Sequence, residues 1–113
     1  MRRTCVVLGW ALVATVVYLS LTPSPPSIDV EQGDKLGHIL AYGSLMFWFA
    51  QLYARTSVRV GSAVGFVALG IALEFVQAHV GRDFEVADMA ADAIGVALGW
   101  GGALLIRLGI PAH

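Results

Sequence analysis

Three groups of polar residues in this 113-residue chain have the types and spacing for proton transfer or for holding a charged ligand. The first is Asp34, Lys35 and His38, with Tyr42 one turn further on; positions 34, 38 and 42 share one side of a helix. The second is Glu74 and Gln77, again on one helical face. The third is Arg82, Asp83 and Glu85, followed by Asp88 and Asp92 on the first two turns of an apolar run. A histidine among carboxylates suits acid–base chemistry, with His38 and one of Asp88 or Glu74 as the pair. Lys35 and Arg82 suit contact with a phosphate or carboxylate of a ligand, with Asp34, His38, Glu74, Gln77, Asp88 and Asp92 ordering the pocket around it. Asp34, Glu74, Asp83, Glu85, Asp88 and Asp92 face only Lys35 and Arg82 as fixed cations. Such a cluster must hold protons, protonate His38 or His79, or bind a cation. No H-E-x-x-H or comparable spacing supports a metal, and the lone Cys5 excludes both an internal disulfide and a cysteine metal site. No cofactor is expected.

Each of these residues also has an ordinary structural role open to it. Asp34 would cap the N-terminus of a helix, Lys35 and Arg82 would anchor it at lipid phosphates, and Gln77 would join two helices. Glu74, Asp88 and Asp92 are harder to explain in that way. A charged side chain at mid-membrane costs roughly 2.5–3.5 kcal/mol on insertion scales and normally faces a partner or a wet cavity. Three acids at similar depth predict one shared pocket that brings Glu74, Asp88 and His38 together from different helices.

The elements that must position them are membrane spans. Hydrophobic residues make up 58% of the chain and charged residues 13%, about half what a soluble domain carries; the mean hydropathy is +0.75. The net charge of −1 and the absence of a basic block exclude nucleic-acid binding. Four stretches approach the roughly 20 apolar residues that a crossing needs: 4–22, 36–54, 60–80 and 86–106. The first ends at Pro23-Ser24-Pro25-Pro26, where a helix cannot continue. Arg2-Arg3 ahead of it resembles a signal peptide, but its apolar run is long and no small-x-small cleavage site follows, so it is expected to stay attached. Arg2, Arg3, Arg55, Arg59 and Arg107 fall on one side of this arrangement and Lys35 and Arg82 on the other. That bias predicts both termini in the cytoplasm and the acids at the outer face. Gly61 with Gly65, and Gly95 with Gly99, are small-xxx-small pairs expected to let helices pack closely. The expected fold is an all-α, polytopic membrane four-helix bundle forming a single domain, N-in and C-in.

At these residues the chain resembles the VanZ-like family of small bacterial membrane proteins. The likeness rests on Ser20-Leu21-Thr22-Pro23, Asp34-Lys35 with His38, Glu74 with Gln77, Arg82, Asp88, and Gly95 with Gly99, in an order that covers most of the chain. It implies a multi-pass inner-membrane protein of the cell envelope, in a family whose founding member is linked to resistance to the glycopeptide teicoplanin. One departure stands out: the family often carries Asn where this chain has Asp92. Three functions follow as expectations. The first is binding of a lipid head group or cell-wall precursor at the outer face, with membrane lipids as partners. The second is an enzyme acting on such a head group through His38 with Asp88 or Glu74, although no nucleophile motif accompanies them. The third is a proton-coupled carrier, for which four spans would require a homo-oligomer.

Overall fold

A computed structural model describes residues 2–22, 33–79 and 86–109, with the side chains of 33 and 34 excepted. Arg82, Asp83 and Glu85 therefore lie outside the described residues, as does the side chain of Asp34. The described chain folds into four helices: α1 (Arg2–Leu21), α2 (Gly33–Leu52), α3 (Thr56–His79) and α4 (Val86–Leu105). All four hydropathic stretches are helical, with shifted ends. The largest shifts are at the starts of α2 and α3, each of which begins ahead of its apolar run. Polar first-turn residues such as Lys35 and Ser57 lower hydropathy without opposing a helix. At α3 the carbonyl of Arg55 accepts from the amides of Val58 and Arg59, which starts the helix before Val60.

Two of the four helices, α1 and α3, are long and apolar enough throughout to cross a membrane. The other two are diluted by Lys35, His38 and Gln51 in α2 and by Asp88 and Asp92 in α4. These two polar helices are each other's principal neighbours. They run side by side in the same direction, so that residues near 38, 43 and 51 of α2 meet residues near 92, 95 and 106 of α4. The helix α1 packs on α2 and α3 but not on α4, while α3 reaches α4 as well. Chain direction alternates, so the C-termini of α1 and α3 share one end with the N-termini of α2 and α4.

Small residues set the closeness of the α2–α4 pair. A β-carbon on Gly95 would stand 2.5 Å from the Ile39 carbonyl oxygen, and one on Gly99 would collide with the carbonyl oxygen of Gly43. Backbone-to-backbone approach of this kind is what glycine permits at helix interfaces. The other pair behaves differently: a β-carbon on Gly61 or Gly65 would meet nothing within 4 Å, so these two do not pack against another helix. Spacing alone cannot distinguish a packed glycine pair from an unpacked one. Below this seam α2 supplies most of the apolar core, with Tyr42, Leu45, Met46, Phe49 and Ala50 meeting Val16, Phe66, Val96 and Ala103. Phe49 is its hub, edge-on to both Phe66 and Trp10.

At the opposite end, arginines close off α2. Arg59 donates from Nε to the Tyr53 carbonyl at 2.9 Å and from its Nη2 to the Ala50 carbonyl at 2.7 Å, and it is buried. Arg2 donates to the Leu52 carbonyl at 2.7 Å and lies over the Tyr53 ring. The last carbonyls of a helix lack partners within it and carry its negative dipole end, so cations are favoured there. Gln51 ties this end to the chain after α4, donating to Ile106 O and accepting from the Leu108 amide. Arg2 and Arg59 thus serve as structural caps of α2.

Candidate functional site

The polar end of the α2–α4 pair holds a chain of charged side chains. Lys35, on the first turn of α2, places Nζ 3.3 Å from Asp88 Oδ1, an ion-pair contact without a well-aligned hydrogen bond. Asp88 Oδ2 lies 3.6 Å from Nε2 of His38. On the other side of the imidazole, His38 Nδ1 is 2.7 Å from Asp92 Oδ1. The four residues thus alternate in potential charge: Lys35, Asp88, His38, Asp92. They do so because both helices run in the same direction and each presents residues one turn apart to the seam.

Exposure does not follow the order of that chain but is highest at Lys35 and His38 and lowest at Asp92. The side chains of Lys35, His38, Asp88 and Asp92 are 25%, 15%, 9% and 2% exposed. A ligand arriving from this end meets Lys35 and the outer edge of His38 first. Asp92 forms the floor, where its carboxylate presses on α3 at Gly70: a β-carbon there would overlap Asp92 Oδ2 and stand 3.0 Å from its Cγ. Glu74, one turn beyond Gly70 on α3, is 1% exposed and within electrostatic reach of both His38 and Tyr42. Tyr42 is itself buried under the cluster.

The structure separates residues that the sequence grouped. Glu74 is buried within electrostatic reach of His38, whereas Gln77 donates from Nε2 to the Ser20 carbonyl at 2.8 Å and joins α3 to α1. Gln77 therefore has a helix-joining role. His79 does not share the cluster's charge: it is exposed, with Nδ1 2.9 Å from the Phe75 carbonyl of its own helix. Among the described residues, Lys35 is a cation at Asp88. Asp92, one of the residues expected to order the pocket, stands 2.7 Å from His38. Sequence reasoning missed Gly70. Its only signal was a small residue one turn from Glu74, which is common in a chain containing 13 glycines.

Chemically, Asp92 fixes the imidazole and leaves Nε2 directed towards Asp88 and the open side. Breaking a buried pair by removing one partner is strongly destabilising, because it leaves an uncompensated charge. The arrangement can therefore hold a proton at His38 or offer paired charges to a zwitterionic or anionic group. Gly70 tests how tightly the floor is set. Gly70→Ala should lower the stability of the purified protein by about 1–3 kcal/mol through overpacking. It does so by pushing the Asp92 carboxylate off His38. A thermal melt in detergent unchanged from wild type would show that Asp92 has room to move. Comparison with known families, characterised proteins and solved structures gives no match to this chain.

Proposed function

We propose that the chain is a VanZ-like, four-span protein of the bacterial inner membrane that binds a lipid head group or cell-wall precursor at its outer face. The observation that carries this reading is an inversion of polarity. Glu74, Gln77, Asp88 and Asp92 are all buried, while Trp10, Leu40, Val64 and Leu98 are 59%, 55%, 64% and 62% exposed, one on each helix. In water that pattern exposes apolar surface on every side and buries charge; in hydrocarbon it covers the charge and leaves lipid-compatible surface outside. A core helix of a soluble protein would be mostly buried, yet the apolar windows of α1 and α3 are only 17% and 28% buried. The 20- and 24-residue helices rise about 30–36 Å, which matches the hydrocarbon thickness. In α2 and α4 the polar side chains face one another, which is how intramembrane charge is tolerated.

The excess of arginine at the end shared by both termini supports an N-in, C-in orientation, with the Lys35–Asp88–His38–Asp92 cluster at the outer face. The likeness to VanZ-like proteins supports an envelope role and makes glycopeptide susceptibility the first phenotype to measure. A second reading, an enzyme acting on an outer-leaflet head group, is favoured by one observation, the 2.7 Å contact by which Asp92 orients His38. In it His38 is the acid or base, Asp92 the positioning residue and Asp88 the group beside the reacting nitrogen. Cysteine labelling with a membrane-impermeant reagent tests the embedding and its direction. Cysteines placed at Ser27 and Asp83 should react in intact cells, and one at Ser57 only after the membrane is breached. Labelling of position 57 from outside would reverse the orientation and move the cluster to the cytoplasmic face.

A further inference from the structure

The polar end of the α2–α4 pair carries more acid than base. Among the described residues, Asp88, Asp92 and Glu74 gather there, with Lys35 as the fixed cation and His38 as the other group able to carry positive charge. Even with His38 protonated, three carboxyl groups face two cations. A ligand that brought only negative charge would add to that excess, and like charges brought together are penalised. Asp88 carries a second signal. Its side chain is 9% exposed, and its Oδ1 is buried without a hydrogen-bond partner among the described residues. A buried carboxylate oxygen in that condition has lost water without a replacement, and a donor on a ligand would restore the missing bond. Lys35 Nζ stands 3.3 Å from this oxygen but is not aligned to donate to it. Asp88 Oδ2 is 3.6 Å from His38 Nε2, too long for a strong hydrogen bond. Asp92 differs in having the imidazole at 2.7 Å.

We infer that Asp88 takes a primary ammonium, so that the ligand of this site is a zwitterion carrying such an ammonium beside a phosphate. The inference rests on the head-group reading above and names the class of head group. An ammonium brings three N–H donors and a full positive charge, which answers both the orphaned oxygen and the excess of carboxyl groups. Lys35 shows the fit, since its own side chain ends in a primary ammonium and already stands at the same oxygen. It is 25% exposed on a flexible four-carbon stem, so it can swing from Asp88 to the phosphate when the ligand arrives. The exchange leaves two charge pairs: ligand ammonium with Asp88, and Lys35 with ligand phosphate. A quaternary ammonium has the charge but no N–H, and a glycerol head group can donate but brings no positive charge. Phosphatidylethanolamine and free O-phosphoethanolamine both carry the required pair of groups.

The test places the full chain in nanodiscs of equal parts phosphatidylethanolamine, phosphatidylcholine and phosphatidylglycerol and counts the lipids it retains by native mass spectrometry. Phosphatidylethanolamine should be retained about tenfold or more over either of the others, the difference expected from one charge-assisted hydrogen bond. Asp88→Asn should melt near wild type and lose that preference. Lys35→Gln gives an independent reading. It should retain less of every phospholipid, having lost the phosphate contact, yet still favour phosphatidylethanolamine over phosphatidylcholine. Ethylammonium, which has no phosphate, should compete better in Lys35→Gln than in wild type, because the chain's own ammonium no longer occupies the place. Equal, saturable retention of phosphatidylethanolamine and phosphatidylcholine overturns the inference and leaves the head-group reading standing, as does a preference for phosphatidylglycerol. A preference for phosphatidylethanolamine that survives Asp88→Asn also overturns it. If no lipid is retained but O-phosphoethanolamine raises the melting temperature of wild type and not of Asp88→Asn, the inference holds and the source is soluble. Saturable binding of neither probe removes the inference and the head-group reading together.

Discussion

Gly99→Ala should lower the folded yield of this protein in membranes by about tenfold or more, while Gly61→Ala should leave it unchanged. The added methyl at 99 meets the carbonyl oxygen of Gly43, with the Gly43 carbonyl carbon and the Phe47 amide nitrogen each 3.0 Å away. All three are backbone atoms, so no rotamer change relieves the clash and α2 must move bodily away from α4. Overpacking typically costs about 1–3 kcal/mol and more where backbone is displaced, and about 1.4 kcal/mol is already tenfold in an equilibrium. That displacement also parts Lys35 from Asp88 and His38 from Asp92, so the loss from overpacking is joined by the loss of buried charge pairing. At Gly61 the same methyl meets nothing within 4 Å. Abundance of a tagged protein in membranes and its melting in detergent measure both. Equal tolerance of the two changes would mean that α2 and α4 are not in backbone contact.

The second large effect concerns the His38–Asp92 pair. Asp92→Ala and His38→Ala should each destabilise the protein by about 3–5 kcal/mol, the usual result of removing one member of a buried pair. The double variant should be closer to wild type than the sum of the two, because neither partner is then left alone. Asp92→Asn occupies the same space and can still accept from Nδ1, so it should fold. Asp88→Asn should fold too but lose function, since Asp88 lies towards the open side and meets both Lys35 and His38. The double-mutant cycle on purified protein decides the first point, and membrane abundance scored beside glycopeptide susceptibility decides the second. Strictly additive losses at 38 and 92 would show that the two side chains do not depend on each other.

Much of this architecture is legible in the residues themselves. Apolar runs located all four helices, and the alternation of the chain followed from their short connections. Helical spacing placed His38 and Tyr42 on one face and Asp88 and Asp92 on another. It could not say that the two faces meet, because that depends on α2 and α4 being direct neighbours despite α3 between them in sequence. Gln77 is a case of the same kind. One turn of helix separates it from Glu74, and only the crossing of α3 over α1 gives it the Ser20 carbonyl as partner. The capping by Arg2 and Arg59 left no sequence signal, since an arginine near a helix end looks the same whether it caps a carbonyl or faces water.

The parallel pairing of α2 with α4 has a consequence for how the chain is made. His38 is synthesised 54 residues before Asp92. At a synthesis rate of roughly 5–20 residues per second, the interval is about 3–11 s. Throughout it α2 carries a histidine and a lysine whose partners on α4 do not yet exist, and α1 offers no substitute, since no acid stands within Arg2–Leu21. On the four-span reading proposed above, α2 of a nascent chain has to be sheltered at the insertion machinery or the interface, and enters the bilayer core as a companion of α4. Biogenesis would then be committed late, by the last helix to emerge, and chains truncated ahead of Val86 should be degraded before they settle in the membrane.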